Sequence, residues 1–169
     1  GRRVAKHFGL DIDYVCADAR FLPFAAGAFE TTFSYSVLQH FSRADCLRAV
    51  REIGRVLRPG GLARVQMANA LGVRSAYHLA LRGFRAADKF EVRYYMPGEL
   101  LAVFATHVGR AQLSADCFFG LGLQATDAAF MSATGRLALR GSGILKKASH
   151  ALSPLKLLAD SVYVEAVKS

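Results

Sequence analysis

No stretch of this 169-residue chain is apolar for long enough to cross a membrane. The opening, "GRRVAKHFGL", lacks the continuous apolar core of a secretion signal, and it lacks an initiator Met. It starts in what reads as mid-helix, so the sequence is expected to be a piece cut from something longer. Cysteine is scarce: Cys16, Cys46 and Cys117 are scattered, odd in number and without metal-ligand spacing. His78, His107 and His150 stand at no metal spacing from any acid or cysteine either, so no metal site is expected. A reduced cytoplasmic protein whose cysteines serve packing is the expectation. Acid is missing over residues 128–159, where Arg136, Arg140, Lys146, Lys147 and Lys156 all fall.

What is present is a core. Apolar residues make up 53% of the chain and charged ones 21%, which excludes disorder and fits one packed domain. The formal charge of +9 favours anionic partners, whether nucleic acid, a membrane surface or acidic small molecules.

The order of elements points to an α/β fold. Arg2 to Gly9 reads as the end of a helix stopped by glycine. "DYVCAD" reads as a strand, and a second strand follows from about Glu30 to Ser36. Ser42, with Asp45 three places on, caps a helix in which Leu47, Val50, Gly54 and Leu57 recur at helical spacing. Pro59-Gly60-Gly61 ends that helix and "LARVQMA" is the third strand, a parallel strand–helix–strand unit. Residues 73–89 read as helical, and Pro97 opens another helix reaching about His107. Residues 112–124 and 161–168 read as closing strands, with a basic helical insertion between them at about 125–160.

One aspartate stands out. Asp18 ends an apolar run, and Leu22-Pro23-Phe24 turns the chain directly after it. In a parallel sheet that edge binds ligands, although an aspartate also closes turns for reasons of its own.

The stretch "VCADARFLPFAAGAFETTFSYSVLQHFSRADCLRAVREIGRVLRPGGLARVQMAN" resembles class I S-adenosylmethionine-dependent methyltransferases of the small-molecule type. Asp-Ala before Leu-Pro-Phe, Phe-Glu opening a strand into "SVLQHF", and "RVLRPGG" before the next strand arrive in order. The resemblance implies a Rossmann-like sheet of strand order 3-2-1-4-5-7-6 with a closing antiparallel pair. Here the sheet should be incomplete. The family's Gly-rich loop and the acid after its second strand are not in this sequence, whose first residue falls in the helix after that strand. The first two strands are therefore expected to be absent, and the chain by itself inactive.

The resemblance assigns S-adenosylmethionine as cofactor. It gives Asp18 the adenine amine, a charge-assisted bond worth about 1.5–3 kcal/mol. It gives the backbone of Ala19 the adenine ring and Ser34 the methionine part, while Val37 and Leu38 pack against the cofactor. A serine closing a strand, as Ser34 does, needs no ligand to explain it. His40 is the candidate base on the loop over the site. A sulfonium methyl is already electrophilic, and alignment alone can suffice. A backbone-bonded loop histidine is the plainer reading. Tyr94 and Tyr95 fall where the family builds its lid, and serve either a pocket or a packed anchor.

The implied activity is methyl transfer to a small molecule. The alternative is a non-catalytic scaffold of the same fold that binds a partner or lipid. RNA as substrate is disfavoured, because "SYSV" is unlike the Asn/Asp-Pro-Pro-aromatic tetrad of RNA enzymes. The basic insertion leaves three readings open: a solvated helical pair, steering of an anionic acceptor, or peripheral contact with a membrane surface.

Overall fold

The computed structural model describes residues 2–120, 128 and 130–169. Its elements in chain order are α1 (Arg2–His7), β1 (Phe29–Ser34), α2 (Arg43–Val56), β2 (Leu57–Ala68), α3 (Val73–Leu81), α4 (Pro97–His107), β3 (Gly109–Cys117), α5 (Ala133–Ala151) and β4 (Ser161–Lys168). Short 3₁₀ turns at Leu38–His40 and Ser153–Leu158 complete it.

The four strands form one sheet in the order β1-β2-β4-β3. β1 and β2 run parallel, while β4 pairs antiparallel with both β2 and β3. That is the 4-5-7-6 half of the expected order, including the closing antiparallel pair. Among the described residues no strand pairs with the outer edge of β1.

The core lies on one face of this sheet. Ala63, Val65 and Met67 of β2 stand beside Ala166, Val164 and Val162 of β4, all fully buried. Leu113 and Ala115 of β3 extend the layer. α2 and α4 cover it with Ala49, Val50, Leu100 and Phe104. Each such side chain contributes about 1.5–3 kcal/mol from burial. α2 forms as its cap predicts: Ser42 Oγ accepts the Asp45 N–H at 3.0 Å and donates to Asp45 Oδ2 at 2.8 Å. A cap of this kind is worth about 1 kcal/mol. α2 and α4 pack so closely at Gly54 that a Cβ there would run into the His107 carbonyl. The basic segment forms α5 and the second 3₁₀ turn, packed against the outer part of β3, with Leu145 and Leu155 touching the core.

Three local expectations need correcting. "DYVCAD" is not a strand: residues 10–17 have no regular structure, and Ile12, Tyr14, Val15 and Cys16 are exposed. A strand exists only by pairing. Its family neighbour is one of the strands this sequence does not supply, so the third family strand is missing as well as the first two. The helix begun at Val73 stops at Leu81 rather than Lys89, because Gly83 and Phe84 both adopt left-handed φ. Pro59-Gly60-Gly61 lies inside β2 as a bulge, the register jumping from Phe29–Leu57 to Thr31–Leu62. The expected extension of β3 through residues 121–124 falls outside the described residues, as do 125–127 and 129 of the insertion.

No helix among the described residues is long and apolar enough to cross a membrane.

Candidate functional site

The carboxyl ends of β1 and β2, the end of β3 and the start of β4 share one rim of the sheet. Ligands of open α/β sheets bind outside this rim. A line of side-chain hydrogen bonds runs along it. Gln39 Nε2 donates to Ser36 Oγ at 3.0 Å, and the Ser36 N–H donates to Gln66 Oε1 at 2.8 Å. Gln66 Nε2 donates to Ser161 Oγ at 2.5 Å, and Ser161 Oγ donates to Asp116 Oδ2 at 2.8 Å. Ser36 joins this line with a φ of 56°, a strained value for serine. Burial pushes the Asp116 carboxyl above its ordinary range, with the Ser161 bond opposing.

Two clefts open from the sheet. The first, of about 310 Å³, follows β1 from Phe29 to Ser34 and is closed by α2 and the Leu-Pro-Phe turn. Ala19 lines it together with Ser34, Val37 and Leu38 from a later stretch of the chain. Leu22 and Phe24 line it too, so the turn after Asp18 packs beneath this cleft.

Asp18 stands at its margin, already engaged. Its Oδ1 accepts the Arg20 N–H at 2.9 Å, and the Arg20 guanidinium adds a bond of 2.6 Å from one terminal nitrogen to Oδ2. Arg20 also reaches Asp45 Oδ1 at 3.1 Å, tying the turn to the start of α2. The bonds from Arg20 hold the Asp18 carboxyl down at about 2. Its lone pairs are therefore mostly used. The residues present fit the adenine side of S-adenosylmethionine in part: an apolar slot with the Ala19 backbone, beside a carboxylate that must share itself with Arg20. The described residues include no Gly-rich loop to hold the methionine end.

His40 does not line that cleft. Its ring stacks on Phe90 at 4.3 Å between centroids, and Nδ1 faces the Phe90 carbonyl at 2.9 Å. A carbonyl only accepts, so Nδ1 carries the proton and the lone pair resides on Nε2. Arg93 fastens the same loop, donating to the His40 carbonyl at 2.8 Å.

The second cleft, of about 540 Å³, lies between α3, the chain leading to α4, and Asp160. Arg74, His78, Arg82, Glu91, Tyr94 and Asp160 are its main polar lining. The two tyrosines divide the roles foreseen for them. Tyr94 lines the cleft; Tyr95 is a buried anchor beneath the Arg43 guanidinium, 4.7 Å from its ring centroid. Burial raises the pKa of both phenols. Sequence reasoning missed Asp160, Arg74 and Arg82. The only signal was a lone aspartate before the last strand and two arginines, one in α3 and one just past its end.

Comparison with known proteins agrees with this geometry. Solved structures of the same fold include an S-adenosylmethionine-dependent methyltransferase of Thermotoga maritima (TM-score 0.61, 12% identity, 99% of this chain and 68% of that one). The YcgJ protein of Bacillus subtilis matches at TM-score 0.56 and 19% identity, over 99% and 76% of the two chains. A Burkholderia thailandensis 1,6-didemethyltoxoflavin-N1-methyltransferase, solved with S-adenosylhomocysteine, matches at 0.55 and 11%, over 99% and 56%. The fold is that of the class I methyltransferases.

Residues 2–65 match the family model described as a methyltransferase domain. A mitochondrial 2-methoxy-6-polyprenyl-1,4-benzoquinol methylase of Leishmania donovani is 43% identical over 67 residues, which is 38% of this chain and 22% of that protein. The likeness in sequence to methyltransferases thus lies in residues 2–65, and the likeness in fold extends over nearly the whole chain. The chain spans about a fifth of the length of that curated relative.

Proposed function

We propose that this chain serves methyl transfer from S-adenosylmethionine to a small-molecule acceptor. The observation that carries the reading is the meeting of Ala19, Ser34, Val37 and Leu38 around one cleft along β1. The names of the matching proteins and the methyltransferase-domain segment support it. The cofactor, when bound, supplies an electrophilic methyl on a sulfonium. Ala19 and the slot beside it would hold the adenine, Asp18 would share an oxygen with the adenine amine, and Ser34 would serve the methionine part. His40 is the candidate base, through Nε2, for an acceptor that must lose a proton.

The acceptor side is the rim where the 540 Å³ cleft opens. Arg136, Arg140 and Lys147 of α5 are exposed, and the charge of Lys146 acts on Asp116 near the end of β3. On this reading α5 steers an anionic acceptor toward the rim, a long-range effect that salt screens.

The test uses methyl-labelled S-adenosylmethionine with the product of the complete gene and a cell extract. Label should enter the small-molecule fraction. Label in RNA or protein overturns the acceptor class, and no transfer together with no S-adenosylhomocysteine binding favours the non-catalytic scaffold. Residues 1–169 alone should bind S-adenosylmethionine more weakly than micromolar, since only part of the site is supplied.

A further inference from the structure

Two residues that line the 540 Å³ cleft each carry a buried polar atom without a partner among the described residues. Asp160 is 1% exposed. Its Oδ1 accepts the Ser75 N–H at 2.7 Å, yet its Oδ2, equally buried, has no hydrogen-bond partner among the described residues. Arg82 shows the complementary defect. One terminal nitrogen donates to the Val92 carbonyl at 3.2 Å, while its buried Nε has no partner among the described residues. Buried polar groups of native proteins are nearly always satisfied, and a charged one left alone is costly. An unmatched acceptor and an unmatched donor in the lining of one cavity call for a ligand that answers both.

The charges fix its sign. Among the described residues Glu91 is the only other carboxylate in the lining, and it belongs to Arg85, whose two terminal nitrogens bind it at 2.6 and 2.8 Å. Arg82 comes no nearer to Glu91 than 3.7 Å. Arg74 donates to His78 Nε2 at 3.3 Å and to the Phe119 carbonyl at 3.1 Å, with no carboxylate partner among the described residues. Two guanidiniums thus face one buried carboxylate. Val92 and the Tyr94 ring supply an apolar wall between them.

We propose that this cleft binds a compact organic anion that carries a hydroxyl or amine as well as its acidic group. The donor meets Asp160 Oδ2; the acidic oxygens meet Arg82, with Arg74 completing the positive field. That this ligand is the methyl acceptor rests on the methyltransferase reading above; that it binds rests on the cleft alone.

The experiment is calorimetry on residues 1–169 with three probes: 3-hydroxybenzoate, benzoate and phenol. 3-Hydroxybenzoate should bind about tenfold or more tightly than either control. Asp160→Asn keeps an acceptor for the Ser75 N–H and turns the other atom into a donor. It should cut the advantage of 3-hydroxybenzoate, since a charged acceptor gives way to a neutral donor from which the hydroxyl can only accept. It should not weaken benzoate, which loses a like charge beside it. Arg82→Met should weaken both carboxylates and spare phenol. Equal binding of 3-hydroxybenzoate and benzoate by the unaltered chain overturns the proposal, and needs no variant to fold. An undiminished difference in Asp160→Asn also overturns it, leaving Oδ2 to water. Because binding is read directly, either failure is distinct from a failure of methyl transfer.

Discussion

Asp160 caps a helix through a residue 85 positions before it. Its Oδ1 accepts the Ser75 N–H at 2.7 Å, at the third position of α3, whose own cap residue is Gly72 and has no side chain to offer. The Asn69 N–H donates to the Asp160 carbonyl at 2.9 Å, so β2, α3 and β4 meet at one aspartate. Asp160→Ala should cost about 1–2 kcal/mol and loosen α3 before the sheet. Hydrogen exchange at the amides of residues 74–76 should rise ahead of β2 and β4. Unchanged exchange there would show that the cap does not hold α3.

Gly54 should tolerate no side chain. A Cβ there meets the His107 carbonyl, backbone that cannot swing aside, so Gly54→Ala should destabilise by about 1–3 kcal/mol. Gly98, in the first turn of α4, has nothing within 4 Å of its would-be Cβ. Gly98→Ala should be neutral or stabilising by up to about 1 kcal/mol. Urea midpoints moving in opposite directions would bear this out; a shared direction would refute the close approach of α2 and α4.

The Asp18–Arg20 pair makes a prediction about acid. Its folded value of about 2 lies below the ordinary aspartate value of about 3.9. The stabilisation is therefore fully present above about pH 4 and disappears as pH falls through about 2. Arg20→Met should raise the Asp18 carboxyl toward the ordinary range, with the residue-20 N–H still bonded to it, as read by carbon NMR of the side chain. A carboxyl that still titrates near 2 in that variant would assign the shift to something other than the guanidinium.

Asp116 should behave in the opposite sense. Burial raises its pKa, so the folded state holds its proton more tightly than the unfolded chain. Its contribution is then most favourable at low pH and is lost as pH rises from the ordinary aspartate range through the raised value. Asp116→Asn keeps an oxygen for the Ser161 hydroxyl and removes the charge. It should raise Tm at pH 7 and flatten that part of the stability curve. A lower Tm at pH 7 would mean that Lys146 and Arg64, whose charges favour the carboxylate, outweigh its burial.

The sheet was readable from local signs wherever those signs name their own partner. Ser42 with Asp45 announced α2, Pro97 announced α4, and alternation over residues 161–168 announced β4. "DYVCAD" carries the same apolar pattern, but a strand is a property of two segments, and the second is not in this sequence. Gly83 could have ended α3 on paper; the apolar spacing through Phe84 hid it. Ala19, Ser34, Val37 and Leu38 were placed by resemblance, and packing does bring them to one cleft. Asp160 and Arg82 were beyond reach. Neither has a motif, and their shared cavity exists only once β4 has paired with β2 and carried Asp160 onto α3.

The outer edge of β1 makes this chain a template. Half of the strand's backbone donors and acceptors face away from β2, beside exposed Phe33 and a single charge, Glu30, already paired with Arg58 at 2.8 Å. Natural edges repel newcomers with lysine, proline or twist. β1 carries neither lysine nor proline, and the Phe33, Tyr35 and Tyr163 rings, each about 6.3 Å from the others, cluster over the neighbouring part of the sheet. A second strand laid there would gain a ladder of hydrogen bonds at little cost in desolvation. A strand that pairs there would answer the backbone donors and acceptors that β1 leaves open on that side.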